Sequence, residues 1–81
     1  MQPDLLERIE SNPAIMLGKP VIRGTRVTVE ILLEKLAADI PIEEVLEDYP
    51  FLSRQDILAA LAYARQALGT DEILPAVATG G

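Results

Sequence analysis

The chain has 81 residues, 49% of them apolar, with no cysteine or histidine; thirteen acidic against seven basic side chains give a net charge of −6. That length holds one small domain, and the missing residue types remove disulfides, thiolate metal sites, the usual general base and the thiol nucleophile. No apolar run approaches the ~20 residues that cross a bilayer, and MQPDLLERIE lacks the basic start and apolar run of a signal peptide, so a soluble cytoplasmic domain is expected.

Residues 1–11 read as a short polar arm with Leu5, Leu6 and Ile9 available to dock. From Asn12 to Thr28, short apolar runs alternate with turns at Asn12-Pro13, Gly18-Lys19-Pro20 and Arg23-Gly24-Thr25. Ile15–Leu17 and Val21-Ile22 are β-compatible, but the prolines argue against a central strand, so this segment reads as a short hairpin or edge strands. At Val29 the period changes. Val29, Leu32, Leu33, Leu36, Ala37 and Ile40 fall on one face of a first helix, with Thr28 as N-cap and Pro41 beyond its end.

Ile42, Val45, Leu46 and Tyr49 repeat the helical spacing in a short second helix, stopped by Pro50. Phe51 and Leu52 in the connection are expected to tuck inward. Ser53, with Asp56 three residues on, opens a third helix whose stripe is Ile57, Leu61, Ala64 and Leu68 and whose end is marked by Gly69. Residues 70–81 contain proline, two terminal glycines and no periodicity, and read as a flexible tail. The economical fold is mainly α: a three-helix bundle preceded by a short N-terminal β element, its last two helices forming a helix-turn-helix. The chain thus divides into an arm (1–11), the β element with the bundle (12–69) and the tail (70–81).

Charge is segregated along the chain. Residues 18–28 carry Lys19, Arg23 and Arg26 and no acid, whereas residues 39–48 carry Asp39, Glu43, Glu44, Glu47 and Asp48 and no base. Arginines beside glycines grip phosphate well, and Thr25 adds a hydroxyl. The same residues serve equally as a turn whose arginines pair with the protein's own acids. Ser53, Arg54 and Gln55 occupy the helix start that reaches base edges in helix-turn-helix proteins, where arginine suits guanine and glutamine suits adenine; an ordinary capped helix has the same look. The carboxylates of the second helix are spaced i,i+4, as a Mg²⁺ pair could be, but a solvated face is the better reading. GKPVIRGT is not a phosphate loop, because its glycines are too far apart and no lysine precedes the threonine. Leu58, Ala59, Ala62 and Ile31 lie off the helix stripes and would form an association patch; with so small a core, a homodimer is expected.

The segment NPAIMLGKPVIRGTRVTVEILLEKLA, followed by PIEEVLEDYPFLSRQDILAALAYA, resembles the bacterial family known as domain of unknown function 433, over about residues 9–68. The matching motif residues are Gly18, Lys19, Pro20, Arg23, Gly24, Thr25 and Arg26. The resemblance implies a homeodomain-like three-helix fold and the role of a VapB-like antitoxin in a type II toxin–antitoxin pair. Such an antitoxin blocks a PIN-like nuclease toxin by protein contact and binds operator DNA to repress its own operon. On that reading Lys19, Arg23, Thr25 and Arg26 form a phosphate-anchoring ridge, and Ser53, Arg54 and Gln55 face the groove. Glu43, Glu44, Glu47 and Asp48, or the tail residues Ile73 and Leu74, meet the nuclease. The alternatives are an interaction module without DNA binding and a stand-alone transcriptional regulator. No catalytic or metal site, cofactor, membrane contact or small-molecule substrate is expected.

Overall fold

A computed structural model of the protein describes residues 3–69; the tail from residue 70, with Ile73 and Leu74, lies outside the described residues. The elements in chain order are a single turn α1 (Pro3–Leu6), β1 (Ile9–Glu10), β2 (Val21–Ile22), α2 (Val29–Ala37), α3 (Ile42–Asp48) and α4 (Arg54–Ala67). The fold is mainly helical, with α2, α3 and α4 around one core and a two-stranded antiparallel sheet at the N-terminal end.

The sheet differs from the expected hairpin. Ile9 pairs with Ile22 and Glu10 with Val21, so part of the expected arm is the partner strand. Of Ile15–Leu17 only Ile15 is extended, at φ −122° and ψ 121°: Met16, Leu17 and Gly18 take left-handed φ values of 48°, 59° and 85°. The preceding Asn12 organises this turn, its side chain accepting from the Ala14 N–H and its carbonyl from the Ile15 N–H. Val21 also bridges Thr28, and the Val29 N–H donates to the Pro20 carbonyl at 3.0 Å, so β2 is fastened directly to the head of α2.

α2 begins as its sequence predicts, with Thr28 Oγ1 accepting from the Ile31 N–H at 3.0 Å. It ends at Ala37, short of Ile40. The Ile40 N–H donates to the Lys35 carbonyl and the Asp39 N–H to the Leu36 carbonyl, with Asp39 at φ 69°. This is the Schellman arrangement, with an aspartate in the place glycine usually takes. α3 buries Val45 and half-buries Ile42, Leu46 and Tyr49, leaving Glu43, Glu44, Glu47 and Asp48 exposed.

α4 is rotated from its expected face. Its buried residues are Asp56, Ile57, Ala59 and Ala60, while Leu61 and Leu68 are 41% and 83% exposed. The inner face therefore lies about one residue, roughly 100°, around the helix from the Ile57/Leu61/Ala64/Leu68 stripe. Both α1 and α2 pack on α4, and the small alanines let them approach closely where larger side chains would hold them off. Leu58 and Ala62 are half-buried and Ile31 packs against the core, so the expected patch of these residues with Ala59 is not formed. In the α3–α4 connection Leu52 is buried as expected, but Phe51 is 64% exposed.

Leu32, Ile57, Val21 and Val45 are the largest fully buried side chains. Leu32→Ala should destabilise the fold by about 3 kcal/mol through lost burial and a cavity, measured by urea unfolding. Asp39→Gly should raise stability by roughly 0.5–1 kcal/mol, because glycine accepts the left-handed conformation and the change removes a negative charge from a helix C-terminus; a thermal melt reads it.

Candidate interaction surface

The Arg23-Gly24-Thr25 turn reverses the chain between β2 and the head of α2, and most of its polar groups are used in doing so. The Thr25 hydroxyl donates to the Ile22 carbonyl at 2.7 Å and accepts from the Val27 N–H at 3.0 Å. Gly24 has φ 81°, which a side chain would strain. Its N–H donates to Glu10 Oε2 at 3.3 Å, and Glu10 Oε1 accepts from Arg23 Nη1 at 3.4 Å. Arg23 also donates through Nε to the Glu7 carbonyl at 2.8 Å and through its backbone N–H to the Arg8 carbonyl at 2.7 Å. Arg23 thus fastens the N-terminal segment to the turn.

The same segment reaches α4. Arg8 Nη1 lies 3.0 Å from Asp56 Oδ1, and Asp56 Oδ2 accepts from the Ser53 N–H at 2.9 Å. Ser53 Oγ also leans on that carboxylate oxygen at 3.4 Å. Ser53 is therefore engaged in starting α4. Arg54 and Gln55 beside it are exposed.

The three motif cations do not form one ridge. Lys19 Nζ is 2.9 Å from Glu30 Oε1 and Arg23 is held by Glu10, whereas Arg26 is exposed and in no ion pair among the described residues. On α3, Asp48 meets Lys35 of α2 at 3.7 Å, and the Lys35 ammonium sits 5.8 Å from the centre of the Tyr49 ring. Glu43, Glu44 and Glu47 face solvent without an ion pair among the described residues. No three described carboxylates gather closely enough to share a metal ion.

What the fold does bring together is apolar. Met16 and Leu17 of the left-handed turn, Ile31 of α2, and Tyr49 with Phe51 of the α3–α4 connection line one open hollow, with Arg26 and Glu34 on its rim. Leu17 is 93% exposed and Phe51 64%. Phe51 is held edge-on to Tyr49, ring centres 6.1 Å apart. Arg26 and Phe51 also share an adjoining hollow with Ile15. Left-handed backbone at two consecutive non-glycine residues is unfavourable, and here it presents an apolar side chain to water. Nothing in the sequence marks Leu17 or Phe51 as outward: each is a hydrophobic residue beside a turn, and only the backbone conformation decides its direction.

The fold is that of a small, mainly helical domain with a short two-stranded antiparallel sheet at its N-terminal end. The sequence model for "Protein of unknown function (DUF433)" matches residues 9–64, and the chain belongs to that family. It is 41% identical over 58 residues to an uncharacterized protein, y4eO, of Sinorhizobium fredii (strain NBRC 101917 / NGR234), a match covering 72% of this chain and 26% of that protein. The chain thus spans about a quarter of the length of the curated relative it matches. The crystal structure of a DUF433 member from Anabaena variabilis superposes with a TM-score of 0.72 at 33% identity, over 79% of this chain and 63% of that one. No described helix is long and apolar enough to cross a membrane.

Asp56→Ala should destabilise the fold by about 2 kcal/mol, since it leaves the Ser53 N–H and Arg8 without their shared acceptor. Gly24→Ala should cost about 1 kcal/mol through its left-handed φ. Chemical denaturation of the two variants beside the parent chain measures both.

Proposed function

We propose that this protein is the antitoxin of a type II toxin–antitoxin pair, and that it neutralises a PIN-like nuclease by direct protein contact. The antitoxin assignment follows the family resemblance. The observation that carries contact through protein is the exposed Leu17–Phe51 hollow on a chain whose formal charge is −6. Aromatic and arginine side chains are the common anchors of interface hot spots; Tyr49 lines this hollow beside Phe51, and Arg26 supplies a cation with no ion pair among the described residues. The solvated acids Glu43, Glu44 and Glu47 give a second face of opposite sign, suited to the basic RNA path of a nuclease. The protein itself contributes no catalysis in this reading.

Operator binding is the second reading, supported by a narrower set of residues than the sequence implies. Arg26 shares a hollow with Phe51, in the connection leading to the exposed Arg54 and Gln55. Phosphate contact on this reading falls to Arg26 and Arg54, because Lys19 and Arg23 already serve Glu30 and Glu10.

The test is to look for a PIN-like nuclease encoded beside this protein and to titrate the purified protein against it, following both complex formation and RNA cleavage; the lack of such a neighbour counts against the antitoxin reading. Inhibition at one-to-one stoichiometry is expected, with Leu17→Asp and Phe51→Asp each weakening binding by about 30-fold or more. If neither substitution changes affinity, the hollow is not the contact; if no complex forms, the antitoxin reading falls. On upstream DNA, Arg26→Ala should lower the salt slope of binding by about one; DNA affinity with an unaltered slope would remove Arg26 from the contact.

A further inference from the structure

The turn at Met16 and Leu17 is unfavourable twice over. Two successive non-glycine residues stand at φ 48° and 59°, a conformation that glycine takes freely and other residues do not. Leu17 then points into water, 93% exposed, so no packing of its side chain offsets the strain. Reversing the chain requires neither penalty, because glycine or asparagine at these positions would serve, as Gly18 does at φ 85°.

Such a conformation persists only where its surroundings over-determine it, and here they do. Asn12 starts the turn, its Oδ1 accepting from the Ala14 N–H at 2.9 Å and its carbonyl from the Ile15 N–H at 2.8 Å. Within the turn the Gly18 N–H donates to the Ile15 carbonyl at 3.0 Å and the Lys19 N–H to the Met16 carbonyl at 3.1 Å. Pro13 and Pro20 fix φ on either side. Lys19 Nζ, 2.9 Å from Glu30 Oε1, ties the exit to α2. Leu17 is therefore held outward by the bonds around it. It shares its hollow with Arg26, which is exposed and without an ion pair among the described residues.

We propose that this turn is a preformed anchor: it holds Leu17 ready to enter an apolar recess of the nuclease, and Arg26 meets a carboxylate at the edge of that recess. The inference rests on the nuclease-contact reading and adds what the partner must offer there. Charge selects the edge, since an exposed guanidinium without an internal acid is complemented by an acid across the contact. A rigid anchor also loses little freedom on binding, which raises affinity without any further contact. Asn12 then acquires a role. It lines neither the Leu17–Phe51 hollow nor the adjoining one with Ile15, and it acts on the contact by positioning the turn.

Nitrogen-15 relaxation of the free chain tests the anchor. The Leu17 amide should show an order parameter of about 0.85, falling below about 0.6 in Asn12→Ala. In the nuclease titration Asn12→Ala should raise the dissociation constant about 10-fold. Asn12→Asp, which keeps the acceptor oxygen, should stay within about twofold of the parent chain. Arg26→Glu should weaken binding more than Arg26→Ala, because it sets like charges together. A Leu17 amide below about 0.6 in the parent chain, or an Asn12→Ala variant that binds as the parent does, overturns the anchor and leaves the nuclease reading standing. Arg26→Glu binding as well as Arg26→Ala, or better, overturns the acidic edge. Self-association of the free chain that Leu17→Asp abolishes gives the anchor to a second copy and overturns the proposal. No complex with the parent chain removes this inference and the nuclease reading together.

Discussion

The Asp56 carboxylate is the contact on which the arrangement of elements depends. It stands at the first turn of α4, with its side chain 12% exposed, and joins two parts of the chain that are 48 residues apart. One oxygen holds the Ser53 N–H and so sets where the helix starts; the other holds Arg8 and so sets where the N-terminal segment lies. A carboxylate placed this far from water needs both partners. Through Arg8 the constraint passes to Arg23, whose backbone N–H takes the Arg8 carbonyl, and on to Glu10 and Gly24. The β1–β2 pairing, the Arg-Gly-Thr turn and the head of α4 are therefore one connected polar network on the flank of the apolar core.

This network explains why an acidic chain concentrates cations just before a helix. Arg23 fastens the N-terminal segment, and Lys19 meets Glu30 beside the exit from the left-handed turn. Both pairs are solvent-exposed on at least one side, so each contributes little to stability by itself. They do occupy the charges of Lys19 and Arg23 within the chain. Arg26 is the motif cation without an ion pair among the described residues.

Two apolar surfaces separated by the Lys19–Glu30 pair give the domain its character. One is made by strain, with Met16 and Leu17 held left-handed by the turns around them. The other is made by packing, since α4 turns its alanines inward to admit α1 and α2 and thereby turns Leu61 and Leu68 outward. A single small domain has too little core to hide every large side chain, and this fold places the surplus on two distinct faces.

The sequence by itself determined the helices and the limits of several of them. The i, i+3, i+4 spacing from Val29 and from Ile42, Thr28 and Ser53 at the helix starts, and the proline and glycine stops are local features read within one or two turns of chain. It also fixed the family, through the Gly18–Arg26 motif, and it held the pairing of the motif arginines with internal acids as one of two open readings. Only the tertiary structure decided which acids those are, since Glu10 and Glu30 lie 13 and 11 residues from their partners and no local rule connects them. It also decided that β2 pairs with Ile9–Glu10, that Met16 and Leu17 turn left-handed, and that Phe51 faces out. The buried face of α4 departs from its hydrophobic stripe for the same reason. Periodicity ranks side chains by hydrophobicity, whereas α1 and α2 chose the small side chains of Ala59 and Ala60, because closeness of approach, not the size of the residue, set what is buried.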